Sequence, residues 1–329
     1  MAELTYGHAF AQGLSEEMDR DPSIVVLGTD ILMRGGHFGQ VAGLGKQYGA
    51  SRIVDTPISE AGLVSLALGA ALTGLRPVID LNFQDFILGA MDEVVNQIAK
   101  WCYMSDGRVQ VPVVIRASDG TAHGAGPQHS QSLEAWLASV PGLQVVVPST
   151  PADVKGFLKT ALRANNPVLF FMHKMLSNTR GAVPDEDVAL PLGHAAIRQP
   201  GSDVTVVTYG IMVQHALDAA RQLKDDGINA EVIDLCTLSP LDADTVIRSV
   251  KRTSRAVVVH EAPRFGGFGG EVAAIIQERA FDYLDSPVLR VAAKHAPVPV
   301  ASVLQNAIVP GVEDIVEAVR AACDNGGGH

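Results

Sequence analysis

Short, mostly apolar runs alternate with helical periodicities along nearly the whole chain. In the first half, Ile24–Leu27, Arg52–Val54, Pro77–Leu81, Val111–Arg116, Leu143–Val147 and Val168–Met172 read as strands. They are continuous rather than alternating, the pattern of parallel strands covered on both faces. Between them, Leu4, Ala11, Leu14 and Met18 predict a helical stripe ended by Asp21-Pro22, and Pro151-Ala-Asp opens another helix. The alternation predicts a doubly wound α/β domain.

From about Asn178 to Gly201 the rhythm breaks into a stretch rich in proline, glycine and acids. Beyond it, Val204–Thr208, Ala230–Leu235, Ala256–His260 and Val288–Val291 read as strands. A helix from Val213 carries Val213, Ala216, Leu217, Ala220 and Leu223 on one face and stops at Gly227. The expected organisation is a first α/β domain over 1–185, a linker over 186–202 and a smaller α/β domain over 203–325.

Composition narrows the classes. The 329 residues are 47% apolar and 19% charged, a balance that excludes extensive disorder. The net charge of −11 argues against a phosphate-backbone binder, so no nucleic-acid partner is expected. No apolar run reaches the roughly 18 residues that span a bilayer, and no basic-then-apolar leader opens the chain. The expectation is a cytoplasmic protein with no membrane partner. Cys102, Cys236 and Cys323 have no close spacing, so neither a zinc site nor a disulfide framework is indicated. The terminal Gly326-Gly327-Gly328-His329 reads as a linker scar.

Four segments could carry chemistry. Asp55-Thr-Pro-Ile-Ser-Glu60 precedes a helix from Ala61 onward whose only polar interruptions are Ser65 and Thr73. A helix apolar all round is expected to be buried, and its small residues admit another backbone or subunit. Glu60 then stands at the first turn, where the helix dipole favours a negative charge. It is either a plain N-terminal acid or a carboxyl that hands a proton to a ring nitrogen.

Asn82-Phe-Gln-Asp-Phe86 follows a predicted parallel strand, where open α/β sheets bind ligands, although the segment read alone favours core packing by Phe83 and Phe86. Gly124-Ala-Gly-Pro-Gln-His129-Ser-Gln131 reads as a loop presenting an acid or base, or as a surface loop with Ser130 or Ser132 capping the next helix. His8, His37 and His123 have weaker context. Phe265-Gly-Gly-Phe-Gly-Gly-Glu271 fails the dinucleotide fingerprint because Val272 holds its last position, so it reads as a tight turn or packing site.

In order, these segments resemble the β subunit of thiamine-diphosphate-dependent 2-oxoacid dehydrogenase decarboxylase components, over nearly the whole chain. The resemblance rests on Arg52-Ile-Val-Asp-Thr-Pro-Ile-Ser-Glu60, Gly74-Leu-Arg-Pro77, Gln128-His-Ser-Gln131, Pro141-Gly-Leu-Gln-Val-Val-Val-Pro-Ser-Thr-Pro151, and Val232-Ile-Asp-Leu235 with Leu238-Ser-Pro-Leu-Asp242. Phe170-Phe-Met-His-Lys174 and Val207-Thr-Tyr-Gly210 lean toward the acetoin dehydrogenase branch. The implied fold is a transketolase-like pyrimidine-binding domain followed by a transketolase C-terminal-like domain.

The resemblance implies that Ile58, Glu60 and Phe86 bind thiamine diphosphate. Glu60 would bond the aminopyrimidine and Phe86 would pack against it, while the cofactor serves as the electron sink. His129 matches a histidine that assists proton handling or acyl transfer to a lipoyl group. A potassium ion is implied at the backbone carbonyls of Val113, Ala161, Leu162, Ala164 and Asn166.

The chain lacks the Gly-Asp-Gly motif that holds the diphosphate through magnesium; Ser105-Asp-Gly107, Ser118-Asp-Gly120 and Asp225-Asp-Gly227 all lack the leading glycine. The family supplies that half from an α subunit in an α2β2 heterotetramer and passes the acyl group to a lipoyl acyltransferase. The implied substrate is a small 2-oxo acid or an acyloin. Two departures stand out. Gly28-Thr29-Asp30 replaces a common Gly-Glu-Asp, and His260 precedes Glu261 where an acid is common. Two alternatives remain at this level: a carboligating transketolase-group subunit forming an acyloin, and a non-catalytic dinucleotide-binding or assembly module.

Overall fold

The chain forms β1 (Ala2–Thr5), β2 (Ile24–Gly28), β3 (Ile53–Asp55), β4 (Arg76–Phe83), β5 (Val114–Asp119), β6 (Gln144–Val146), β7 (Val168–His173) and β8 (Arg180–Val183) in its first part. The computed structural model describes residues 1–122 and 124–324; His123 and residues 325–329, with the Gly326–His329 tail, lie outside the described residues. Two units emerge: Met1–Asp119 with Trp136–Leu192, and Gly120–Ala135 with Gly193 onward.

In the first unit, β6, β7, β5, β4, β2 and β3 lie side by side in that order, every neighbouring pair parallel. β2, β5 and β7 are buried at every position, as two-sided cover demands. The chain runs outward from β2 to β3 and then returns to β4 on the other side of β2, so the connection reverses between β2 and β4. Ligands of open α/β sheets sit outside the carboxyl ends of strands at such a point.

The helices follow local chemistry. Thr5 caps Tyr6–Arg20 by accepting the His8 N–H at 3.2 Å. Its buried stripe is Tyr6, Phe10, Leu14 and Met18, so the sequence-based phase was off: Leu4 belongs to β1 and Ala11 is half-buried. Pro151–Arg163 begins with a capping box, Thr150 and Asp153 each bonding the other's backbone N–H. β1 and β8 pair antiparallel in a separate ribbon.

The second unit contains β9 (Ala196–Gln199), β10 (Val204–Thr208), β11 (Ala230–Asp234), the short β12 (Thr237–Ser239), β13 (Ala256–Pro263) and β14 (Leu289–Ala293). A five-stranded sheet runs β14-β13-β10-β11-β9, parallel except for the antiparallel edge β9. Helices Met212–Asp225 and Val312–Asp324 cover one face, burying Ala216, Leu223, Ile315 and Val319 against Val206, Val232 and Val257. The opposite face carries polar ties: Thr205 Oγ1 bonds Ser249 Oγ at 2.6 Å and Thr253 Oγ1 at 2.7 Å.

The division between Leu192 and Gly193 falls inside the stretch expected as a linker. That stretch is not a bare tether, because Ala196–Gln199 pairs with Val232–Asp234. Gly120–Ala135, expected within the first domain, groups with the second unit. No helix among the described residues is long and apolar enough to cross a membrane.

Candidate active site

At the carboxyl end of β4 the strand breaks step with β5. Asp80 pairs with Arg116, but the next registered pair is Phe83 with Ser118, and Asn82 between them adopts φ 58°. A bulge of this kind re-aims the side chain beyond it. Asp80 holds the bulge: its Oδ1 accepts the Asn82 N–H at 2.9 Å and Arg116 Nη1 at 3.2 Å, and its Oδ2 accepts Gln40 Nε2. Arg116 Nη2 also donates to Ser118 Oγ at 2.6 Å. Asp80, Arg116 and Gln40 are all almost fully buried, so the two opposite charges are balanced internally by each other.

The re-aimed Phe83 is the hub of an aromatic cluster. Its ring lies 5.5 Å from Phe86, 5.5 Å from Phe38 and 5.2 Å from His37, spacings favoured by edge-to-face contact. Lys174 Nζ sits 5.4 Å from the Phe83 centroid in a cation–π arrangement. Phe83 and Phe86 are half-buried rather than sealed in the core. They keep apolar surface available at the sheet's reversal point.

Glu60 comes from the neighbouring element. Ser59 caps Glu60–Leu72 through the Gly62 N–H. The Asp55 carboxylate accepts the N–H groups of Ile31 at 2.6 Å and Leu32 at 2.9 Å, tying the end of β3 to the loop after β2. Phe86 begins to turn back within a 3₁₀ helix, Gln84–Ala90, that packs against Glu60–Leu72. A β-carbon on Gly89 of that helix would stand 3.7 Å from both Cβ and Oε2 of Glu60. The elements bearing Glu60 and Phe86 are therefore brought together, one presenting a half-exposed carboxylate and the other a half-exposed aromatic ring. That donor set fits an aminopyrimidine, a flat ring with a nitrogen able to share a carboxyl proton. Ile58 is 79% exposed.

The helix itself corrects an expectation. It is not buried all round: Leu63, Val64, Ala67 and Ala71 face inward, while Leu66 is 52% and Leu72 40% exposed.

The carbonyl positions implied for potassium also lie in the first unit, where Val113 O accepts the Val168 N–H at 2.9 Å. Arg76 reaches the end of helix Pro151–Arg163, donating from Nε to Leu162 O at 2.8 Å and from Nη2 to Ala164 O. A carbonyl oxygen has two lone pairs, so any ion there would share Leu162 and Ala164 with a guanidinium.

His129 belongs to the second unit. It ends a short 3₁₀ turn, Pro127–His129, and donates its N–H to Gly126 O at 3.3 Å. The loop is closed by Gly120 N–H to Gln131 O at 3.2 Å. In the same unit the glycine-rich run acts as the expected packing site. His260 is fully buried beneath it, and burial pushes its pKa down to about 4.

Sequence reasoning missed Asp80, Gln40 and Phe38, and ranked His37 among the histidines of weaker context. A signal did exist for Asp80 and Arg116, opposite charges interrupting two apolar strand runs at matching depth. Gln40 and Phe38 carried none, since only the tertiary path of the glycine-rich stretch 35–43 delivers them.

Comparison with known proteins agrees with this architecture. Residues 2–179 match the transketolase pyrimidine-binding domain and residues 193–315 the transketolase C-terminal domain. The chain is 42% identical over 321 residues to the pyruvate dehydrogenase E1 component subunit beta of Rickettsia felis, covering 98% of each. It is also 42% identical to the protein of that name from Bacillus subtilis, covering 97% of this chain and 98% of that one. Among solved structures, a split-gene transketolase, described as an inactive beta4 tetramer, superposes with a TM-score of 0.80 at 27% identity, covering 98% of both chains. With both domains matched in order and relatives alike from end to end, the chain belongs to the transketolase-like family of E1-component β subunits.

Proposed function

We propose that this chain is the β subunit of a thiamine-diphosphate-dependent enzyme that decarboxylates a 2-oxo acid, pyruvate first among candidates, with an α subunit as obligatory partner in an α2β2 heterotetramer. The carrying observation is Glu60, half-buried at a capped helix start and facing Gly89 on the helix that bears Phe86. Glu60 holds and shares a proton with the ring nitrogen of the aminopyrimidine, and Phe86 orients that ring by packing on it. When bound, thiamine diphosphate supplies the electron sink for the carbanion left by C–C cleavage. His129 handles protons or assists acyl transfer, with a lipoyl acyltransferase as the acceptor. Magnesium and the diphosphate fall to the α subunit, because no Gly-Asp-Gly occurs in this sequence. Potassium at Val113, Ala161, Leu162, Ala164 and Asn166 is part of the same reading, and exchange of potassium for sodium lowers the melting temperature if it is right.

Calorimetry tests the division of labour. The chain alone with thiamine diphosphate and magnesium gives no tight binding, and the chain with its α partner does. Tight magnesium-dependent binding by the chain alone refutes it.

A second reading, cleavage of acetoin, is favoured by one observation. Lys174 of the Phe170-Phe-Met-His-Lys174 run stands over the Phe83 ring, beside the aromatic cluster. Turnover of pyruvate and of acetoin by the reconstituted tetramer with an artificial electron acceptor separates the two.

A further inference from the structure

The loop that carries His129 is anchored at both ends by buried carboxylate contacts within the second unit. At its start, Glu261 Oε1 accepts the Thr121 N–H at 3.0 Å and the Thr121 hydroxyl at 2.5 Å. At its far end, the Tyr209 hydroxyl donates to Glu134 Oε1 at 2.8 Å. Thr121, Glu261, Tyr209 and Glu134 are all less than a tenth exposed. Charge-assisted hydrogen bonds shielded from water are among the stronger and more directional contacts available.

The two anchors share one base. Glu261 lies near the carboxyl end of β13, and Tyr209 directly follows β10, its parallel neighbour. Tyr209 is held from the side as well, its ring parallel to His260 at 6.4 Å and edge-on to Phe268 at 6.3 Å. Between the anchors the chain is backbone-permissive: Gly124 and Gly126 both have positive φ. Such a loop keeps one shape only if its ends are fixed. Gly126 adds a third contact, since a β-carbon there would come within 3.1 Å of Val300 Cγ2.

We infer that Glu261 and Tyr209 are positioning residues for His129, so that a task of the C-terminal unit is to hold the acid–base loop. This rests on the assignment of His129 above. Neither residue needs to touch substrate. Glu261 acts through Thr121, and Tyr209 acts through Glu134.

The test combines labelling of His129 by diethylpyrocarbonate, read by mass spectrometry on the full chain, with turnover of the reconstituted tetramer. Glu261→Ala should raise the His129 labelling rate about tenfold and lower kcat by ten- to a hundredfold, with KM within about threefold. Glu261→Gln keeps an acceptor for both Thr121 donors and should restore both readouts to near normal. Thr121→Ala, which removes the hydroxyl and the γ-methyl but keeps the backbone N–H contact, should give an intermediate labelling rate and covers the case in which Glu261→Ala does not fold. Unchanged labelling in a folded Glu261→Ala or in Thr121→Ala overturns the inference. His129→Ala with normal turnover, alongside raised labelling in Glu261→Ala, supports the anchoring and removes the catalytic assignment of His129 instead.

Discussion

His260 occupies the space that a side chain at Gly269 would need: a β-carbon there would stand 2.6 Å from Nε2 and closer still to Cδ2. The glycine is thus required by a buried imidazole, whatever ligand the loop resembles. Gly269→Ala should cost about 1–3 kcal/mol by overpacking. His260→Ala in the same chain should recover part of that loss, giving a coupling of about 0.5–3 kcal/mol in a urea-denaturation cycle. Additive losses would show that the two positions do not compete for space.

The same histidine sets an acid-side limit on stability. In the folded chain the ring stays neutral down to about pH 4, because burial disfavours its charge, whereas the unfolded chain takes the proton near 6.5. Between those values the unfolded state binds more protons, so stability falls as pH drops through the window, by roughly 3 kcal/mol in full. His260→Phe should flatten the slope of unfolding free energy between pH 6.5 and 5. An unchanged slope would assign the acid sensitivity to other groups.

Asp80 is expected to matter for both stability and cofactor binding. Asp80→Asn leaves the Arg116 guanidinium, itself 2% exposed, without its anion. Breaking a buried pair this way costs about 3–5 kcal/mol. Loss of the bulge should also displace Phe83 and weaken thiamine diphosphate binding by the tetramer beyond any loss of folded protein, measured by calorimetry at a temperature where the variant is folded.

Glu60→Gln should behave in the opposite way. A first-turn acid is worth only about 0.3–1 kcal/mol to its helix, so melting should barely move. Turnover should fall by about 100- to 10,000-fold, since an amide cannot share the ring proton. Near-normal turnover would remove Glu60 from the mechanism.

Leu66 lies on the exposed face of the Glu60 helix. Leu66→Lys should leave the stability of the isolated chain within about 0.5 kcal/mol and reduce co-purification with the α subunit. Undiminished capture would locate the partner elsewhere.

The sheet order was legible only in outline, because apolar runs reveal buried parallel strands and little else. β5 begins three residues later than the apolar run suggests. Pro112 lacks the N–H a ladder needs, and the polar Arg116–Asp119 carries the strand instead. β1 and β8 were missed because their burial is partial and their residues mixed. β9 was hidden in a segment whose prolines, glycines and acids read as linker.

At the candidate site, the placement of Glu60 and Phe86 could be read from local order, each beside a recognisable helix or strand end. Asp80 with Gln40, and Glu261 with Thr121, could not. Such pairs are made across elements, and periodicity along one segment says nothing about its neighbour's register.

The separation between loop and anchor also matters while the chain is being made. Thr121 precedes Glu261 by 140 residues. At about 5–20 residues per second of synthesis, the His129 loop emerges on the order of ten seconds before the strand that fixes it. The first unit can close its sheet in that interval, but its neighbour's borrowed segment must wait. A nascent chain stalled before β13 should hold His129 on an untethered loop.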